Sequence, residues 1–580
     1  MAGKKLDDAL EYIGKYGRYQ IATSVIVTIL GTWFPAWHTM GLIFMADKPE
    51  SYECVRWSGG HGGAALDAGG TVNAALHGGA DQENAVNHDS NRTSPDASDS
   101  ECTGENPGSS SGSLCTEWEY CALYNESTIV TDFDLVCDRK ILAETAQSIF
   151  LAGMLVGAVV FGHLSDVFGR KIILLGTCVA HGVFGIVVAF LWTYTSVVIL
   201  WFLIGMFAQG YNQVQFVMIM ELFPSNCRTL AGSLNSMFWG FGIVTLTPIA
   251  YALRNWRHMQ LAISAPCLLA IPLWPILDES ARWLLSKGRT DDAQKILRKM
   301  ARWNGVAPPS GGFLIKENPI DPPSYELSKN LLDPVFPTLS QKKCTLLDVL
   351  RTRRVLLNIC IVYFAWYVSA VTYYGASLNS SNLAGNKYTN FLFLGLAEIP
   401  GYAIIHFTMT WWGRRPSLCL FFLVSGAASI VTAFLPEQTA DGTDLTIAIT
   451  VTAMLVKLCI VCAYSIDLIC CTEVLPTSVR NIGFGVGAVC GCVGFITAPF
   501  VIYLDDFASF LPLTVFGGLC ILAAILVLIL PETGNKPLPE SLEDARNIGK
   551  KVSKTPEPNT AVCTPTTDAK IKDGSKVDAL

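Results

Sequence analysis

The chain alternates between long apolar stretches and short polar ones, and that alternation sets its architecture. Apolar runs of about twenty residues, the length a helix needs to cross a bilayer, occur near 19–45, 144–166, 172–192, 196–220, 230–253 and 256–277. A second set follows at 355–375, 387–410, 416–436, 444–471, 481–503 and 511–531. Twelve spans are therefore predicted. Residues 1–18 carry charges and no cleavable signal pattern, so the first span is expected to stay attached.

The polar breaks repeat. Glu221-Leu-Phe-Pro224-Ser-Asn-Cys-Arg228 returns as Glu473-Val-Leu-Pro476-Thr-Ser-Val-Arg480. Gly169-Arg170-Lys171 is echoed by Gly413-Arg414-Arg415, and Asp278-Glu279-Ser280 by Pro531-Glu532-Thr533, each about 250 residues later. Three signals at one spacing read as two homologous six-helix halves. Lys and Arg beside spans stay on the cytoplasmic side, which puts these breaks inside the cell together with residues 1–18, a linker 278–354 and a tail 532–580. The linker is expected to hold a helix over 290–303 and then a Pro-rich run, 307–337. The tail reads as disordered, with Thr555-Pro556 and Thr564-Pro565 as candidate phosphorylation sites and the terminal Asp578-Ala579-Leu580 as a docking sequence for a PDZ-type domain.

Composition agrees with this division. Hydrophobic residues make up 51% of the chain and charged ones 15%, against about 25% charged in soluble domains. The net charge of −7 resides mostly in 46–143, a stretch rich in Asp, Glu, Gly, Ser and Asn. By span counting this segment lies outside the cell. It carries two glycosylation sequons, Asn91-Arg92-Thr93 and Asn125-Glu126-Ser127, and five cysteines, Cys54, Cys102, Cys115, Cys121 and Cys137. Four of the five can form two disulfides in an oxidising space, with the connectivity open and one thiol left over. Residues 59–113 offer almost nothing to bury and read as disordered. Most other cysteines fall inside spans, where Cys behaves as a small apolar residue. Neither Cys459 and Cys462 nor Cys470 and Cys471 have metal-site partners nearby, so no metal site is expected. There is no phosphate loop and no nucleophile constellation. Catalysis, a cofactor and a nucleic-acid partner are therefore not expected.

The motifs also point to a family. Gly162 to Lys171, GHLSDVFGRK, resembles the loop between the second and third helices of major facilitator transporters, G-x-L-x-D-R-x-G-R-K, with Val167 where that pattern prefers a basic residue. Glu221-x-x-Pro224-x-x-x-Arg228, Glu279-Ser-Ala-Arg-Trp-Leu-Leu285 followed by Gly288-Arg289, and Glu473-x-x-Pro476-Thr477-x-x-Arg480-Asn481-x-Gly483 resemble the organic cation, anion and zwitterion transporters of that superfamily. The likeness runs across nearly the whole chain, long loop included. It implies an all-α membrane protein of twelve transmembrane helices in two pseudo-symmetric six-helix bundles. The first bundle would cover 19–277, including the extracellular loop 46–143, and the second 355–531. It further implies a plasma-membrane location with both termini cytoplasmic, and a small organic ion as substrate. Asp166, Arg170, Glu221 and Arg228 would form a cytoplasmic gating network, with Arg414, Glu473 and Arg480 as its second-half counterpart.

Candidate binding residues are polar groups at membrane depth, where an unpaired charge costs about 2.5–3.5 kcal/mol on insertion scales. Three stand out: Glu398, Lys457 and Asp467. Glu398 precedes Pro400-Gly401, which weakens the helical ladder around it. Lys457 and Asp467 are separated by about 15 Å along a helix and about 80° around it, so they are not expected to pair. The resemblance implies a cavity-facing acid at Glu398 and a basic group at Lys457. Asp467 has no counterpart there and reads either as a functional acid or as a structural partner near Glu473. Trp366 and Tyr373 lie seven apart, on one helix face, and the family has aromatics at both places; an aromatic face attracts ammonium groups. Cys492 stands where cation carriers have Asp and many anion and carnitine carriers have Arg. With Glu398 kept and no Arg gained, organic cations or zwitterions are favoured over an organic anion exchanger; a non-transporting receptor of the same fold is the rival of another class. Trp33, Phe34, Trp37, Gln209, Asn212, Gln213 and Gln215 are weaker lining candidates, and His38, His163, His181 and His406 read as packing residues.

Overall fold

The computed structural model describes residues 2–49, 51–57, 115–121, 126–224, 227–309, 313, 351–383, 385–436, 438–439, 442–476, 479–534, 539 and 542–547. Twelve long helical segments account for the apolar runs. The first, α1, spans Arg18–Met45 and is interrupted by a π-helical turn at Ile29–Trp33. It is followed by α2 (Ile141–Phe168), α3 (Arg170–Val188), α4 (Tyr194–Leu222), α5 (Arg228–Ala252) and α6 (Trp256–Ser264), the last continued by a 3-10 turn at Ala265–Leu269. The second set comprises α7 (Arg353–Leu378), α8 (Lys387–Trp411), α9 (Arg414–Phe434), α10 (Thr446–Val474), α11 (Arg480–Ile502) and α12 (Leu511–Val527). Among the described residues, nine helices are long and apolar enough to cross a membrane by themselves. The other three are α5, with 25 residues and Pro248 inside it, α6, which ends in a 3-10 turn, and α12, with 17 residues.

The helix ends follow local chemistry. Asn255 and Asn386 cap α6 and α8, their side chains accepting hydrogen bonds from Arg257 N and from Tyr388 N and Thr389 N. Gly169 and Gly413 reverse the chain between α2 and α3 and between α8 and α9, with φ of +112° and +89°, conformations a residue with a Cβ adopts only under strain. The 162–171 stretch is thus less of a loop than its polar residues suggest. Helix α2 runs on to Phe168, because backbone bonding continues until a glycine can turn.

The helices form two sets. Within each, α2 and α3 pack on α4, and α7 and α8 on α10; between them, α5 packs on α8 and α2 on α11. Large apolar side chains point outward from this assembly, among them Val159, Phe190, Ile447 and Phe434, and Trp192 and Trp411 mark helix ends.

At one end, here termed the sheet end, β1 (Ser51–Trp57) pairs antiparallel with β2 (Cys115–Cys121). Loop composition concealed this hairpin, because its two strands are far apart in sequence. Cys137 is disulfide-bonded. Asn91, Asn125, Cys102, the side chains of Cys54, Cys115 and Cys121, and the PDZ-type terminus lie outside the described residues. At the opposite, turn end, a helix over Ala2–Ile13 packs Leu6, Leu10 and Ile13 against Leu297 and Met300 of the linker helix Thr290–Asn304. The tail was expected to lack structure throughout, yet it holds a helix, Leu542–Asn547, which docks on α7 and buries Ala545.

Candidate functional site

Helix α7 places Trp366, Ser369, Tyr373 and Ser377 at i, i+3, i+7 and i+11, a single polar and aromatic stripe. Helix α10 lies against that stripe and supplies Lys457 and Asp467. The two charges do not meet, as their spacing required; each finds its own partner on or beyond α7.

Lys457 reaches Glu398 of α8, Nζ to Oε1 3.1 Å, with the side chains 1% and 0% exposed. The ammonium also donates to the Tyr373 carbonyl at 3.2 Å and to the Ser377 hydroxyl, and sits 3.3 Å from the centroid of the Tyr373 ring. Tyr373 donates its hydroxyl to Glu398 Oε1 at 2.8 Å and accepts from Trp239 Nε1 of α5 at 2.8 Å. One connected network therefore links α7, α8 and α10 to α5 of the other helix set. Glu398 is not a free anion facing a cavity: its charge is already matched by Lys457, and its Oε2 has no hydrogen-bond partner among the described residues.

Asp467 is the unmatched acid. It is fully buried, its Oδ2 accepts from Ser369 at 2.6 Å, and its Oδ1 has no hydrogen-bond partner among the described residues. No ion pair reaches it there. Among the described residues its hydrogen-bond partner is Ser369 of α7, and no bond to the Glu473 end is seen. Trp366 lies nearby in the stripe, 2% exposed, its ring against Phe484 at 5.3 Å. Glycines make room for it, since a Cβ at Gly487 or Gly491 of α11 would come within 2.6 or 2.7 Å of the indole. Cys492, next to Gly491, is half-buried and free.

The weaker lining candidates mostly bond within the first helix set. Gln215 donates to Thr32 at 2.8 Å, Asn212 to the Gly31 carbonyl at 2.9 Å, and Trp33 and Trp37 both donate to Thr245, at 2.9 and 3.0 Å.

The repeated motifs build twin networks at the turn end. Arg170 pairs with Asp166 at 2.6 Å and Glu221 at 3.2 Å, while Glu279 accepts from the backbone N–H of Arg170 at 2.9 Å and of Lys171 at 3.2 Å. In the second set Arg414 pairs with Glu473 at 3.0 Å, while Glu532 accepts from the N–H of Arg414 at 2.9 Å and of Arg415 at 3.0 Å. Both carboxylates sit at a helix N-terminus, where the backbone donors are unsatisfied. The sequence reading missed Glu279 and Glu532 as network members, although their repeat at the common spacing was visible. Arg228 departs from expectation. Its guanidinium reaches Asp7 of the N-terminal helix at 3.5 Å, beside Arg282, where that helix packs on the linker helices Ala281–Ser286 and Thr290–Asn304. The Arg480 side chain lies outside the described residues, and Val167 is exposed.

Ion pairs that cross between the helix sets lie at the sheet end. Lys48 pairs with Asp506 at 3.0 Å, and Lys387 with Asp47 at 2.6 Å and with Glu126. Burial draws the Lys48 ammonium down, but Glu144 and Asp506 reverse this and hold it above its ordinary value. Burial pushes the Asp47 carboxyl up, against the pull of Lys387.

Comparison with known proteins matches this arrangement. Residues 109–544 fit the model of a family described as sugar (and other) transporters. An organic cation transporter protein of Drosophila melanogaster is 33% identical over 94% of this chain and 95% of its own. Solute carrier family 22 member 3 of Rattus norvegicus is 31% identical over 94% and 96%, and organic cation/carnitine transporter 2 of Homo sapiens 32% identical over 76% and 75%. Among solved structures, the inward-open xylose transporter XylE from E. coli gives a TM-score of 0.53 at 17% identity, over 72% of this chain and 93% of that one. That likeness establishes a common fold.

Proposed function

The chain belongs to the organic cation transporter-like family of the major facilitator superfamily, and from that premise we propose that it carries small organic cations or zwitterions across the plasma membrane by alternating access. The observation that carries the charge sign is a count: the α7–α10 region seals two carboxylates, Glu398 and Asp467, against one ammonium, Lys457. Ionising an unmatched carboxylate at membrane depth is costly, and a cation placed beside it lowers that cost. A monovalent cation that displaces water and rests on Asp467 and the aromatic stripe cancels the Asp467 charge. Trp366 would contribute up to about 2 kcal/mol through its ring face, while Tyr373 already holds the Lys457 ammonium against its ring.

The names of the relatives support the same class. Orientation follows from the Lys and Arg beside the turns: the turn end faces the cytoplasm and the sheet end the exterior. The Lys48–Asp506 and Lys387–Asp47 pairs then bind the two six-helix bundles together on the outside, which corresponds to an inward-facing state. A cation falling through 100 mV gains about 2.3 kcal/mol, enough for about fifty-fold accumulation without a coupling ion.

The test is uptake of a labelled quaternary ammonium probe by cells expressing the protein, with and without depolarisation by high external potassium. Potential-dependent uptake that Asp467→Asn abolishes, at unchanged surface level, is the expected result. Uptake of an organic anion, stimulated by a trans-loaded dicarboxylate, would establish the exchanger reading instead. Binding without accumulation would establish a receptor.

A further inference from the structure

We propose that His38, His181 and Cys267 form a copper(I) site inside the first helix set. The three residues come from α1, α3 and the 3-10 turn after α6, and are 1%, 0% and 0% exposed. Their candidate ligand atoms all lie within 4.8 Å of one another, and the two imidazoles meet edge to face with centroids 4.0 Å apart. Metal–ligand bonds of about 2.0–2.3 Å span up to about 4.5 Å across an ion, so small side-chain rotations close the site.

The hydrogen bonds fix which nitrogen of each ring is free to ligate. A carbonyl only accepts, so His38 donates from Nε2 to Ile263 O at 3.1 Å, and His181 donates from Nδ1 to Ile204 O at 3.1 Å. Each ring is thereby set as the neutral tautomer whose other nitrogen carries a lone pair. On His181 that nitrogen, Nε2, is buried with no hydrogen-bond partner among the described residues. A histidine kept only for packing has no reason to seal a lone pair away from any donor. A ligating one does, and it commonly donates its second N–H to a backbone carbonyl, as both rings do here.

Ligand chemistry and charge select the ion. Two imidazoles and a sulfur, with no carboxylate among the three, suit a soft transition metal and exclude calcium or magnesium. As the metal–sulfur bond forms, the Cys267 thiol releases its proton to solvent. One thiolate with two neutral imidazoles carries a single negative charge, which a monovalent ion cancels. Zinc(II) would leave a net positive charge in an apolar interior, where uncompensated charge is expensive. Copper(I) satisfies both conditions, and its bonds would clamp α1, α3 and α6 together.

Metal content of the full-length protein, purified in detergent from copper-replete cells, tests this directly. Equimolar copper, with an X-ray absorption edge of copper(I) bound by nitrogen and sulfur, is expected. His181→Asn and Cys267→Ser should each lower the copper at least tenfold in monodisperse protein, while His163→Asn, at an exposed position, should leave it unchanged. Zinc in place of copper, or monodisperse wild-type protein without stoichiometric metal, overturns the assignment. Should the site variants fold poorly, the wild-type copper content and absorption edge decide alone.

Discussion

Charge is buried in two contrasting ways in this molecule. At the turn end, Arg170 and Arg414 each sit in a network of several acids, one of which, Asp166, is 66% exposed at its side chain. Water can take over a lost contact there. Between α8 and α10, Lys457 and Glu398 are sealed at 1% and 0% exposure and neither has a substitute. Among the described residues the first arrangement occurs twice, once per helix set, and the second once. A network near water tolerates the loss of a member, whereas a sealed pair behaves as a unit, because removing either charge strands the other.

The largest expected effect lies with that pair. Lys457→Met leaves Glu398 buried and unpaired, which costs about 3–5 kcal/mol, and should abolish the monodisperse peak in fluorescence-detected size exclusion. Lys457→Met combined with Glu398→Gln should restore most of it, since no charge is then stranded. A double variant as unstable as the single one would break the comparison. Next comes the backbone at the turns. Gly413→Ala forces a Cβ into a positive-φ conformation and to 2.9 Å from the Glu532 carboxylate, which leads us to expect about 1–3 kcal/mol of destabilisation, read as a lower melting temperature. Gly169→Ala should match it through Glu279, and unequal losses would show that the twin networks differ in weight.

Smaller still, Asp166→Ala removes an exposed partner and should cost about 0–1 kcal/mol, with melting nearly unchanged. The smallest effect concerns pH. Asp47 has its carboxyl raised by burial, so the folded protein binds a proton that the unfolded chain releases. Its contribution is complete below the ordinary carboxylate range and is lost as pH rises through the raised value. Asp47→Asn should therefore flatten a slight fall in melting temperature on going from mildly acidic to neutral pH.

The twelve spans, their duplication and the Arg–Glu pairs of the twin networks were legible in the sequence, because each rests on local chemistry: run length, a glycine that can turn, and an acid and a base at a fixed offset; the roles of Glu279 and Glu532 were not read. The stripe on α7 was half legible. Trp366 and Tyr373 stood out as aromatics, while Ser369 and Ser377 passed unnoticed until α10 laid Asp467 and Lys457 against them. Spacing excluded a Lys457–Asp467 pair but did not reveal Glu398 as the partner, since it lies on a different helix. The two strands of the sheet-end hairpin, the Asp7 partner of Arg228, and the meeting of His38, His181 and Cys267 were equally hidden. By itself the sequence determined where the twelve long apolar helices lie, where they turn and how they repeat, since backbone bonding and hydrophobic length act along the chain. Which buried charges pair, and which one is left unmatched among the described residues, was decided only by helix packing, because Coulomb and hydrogen-bond partners at membrane depth are chosen in space.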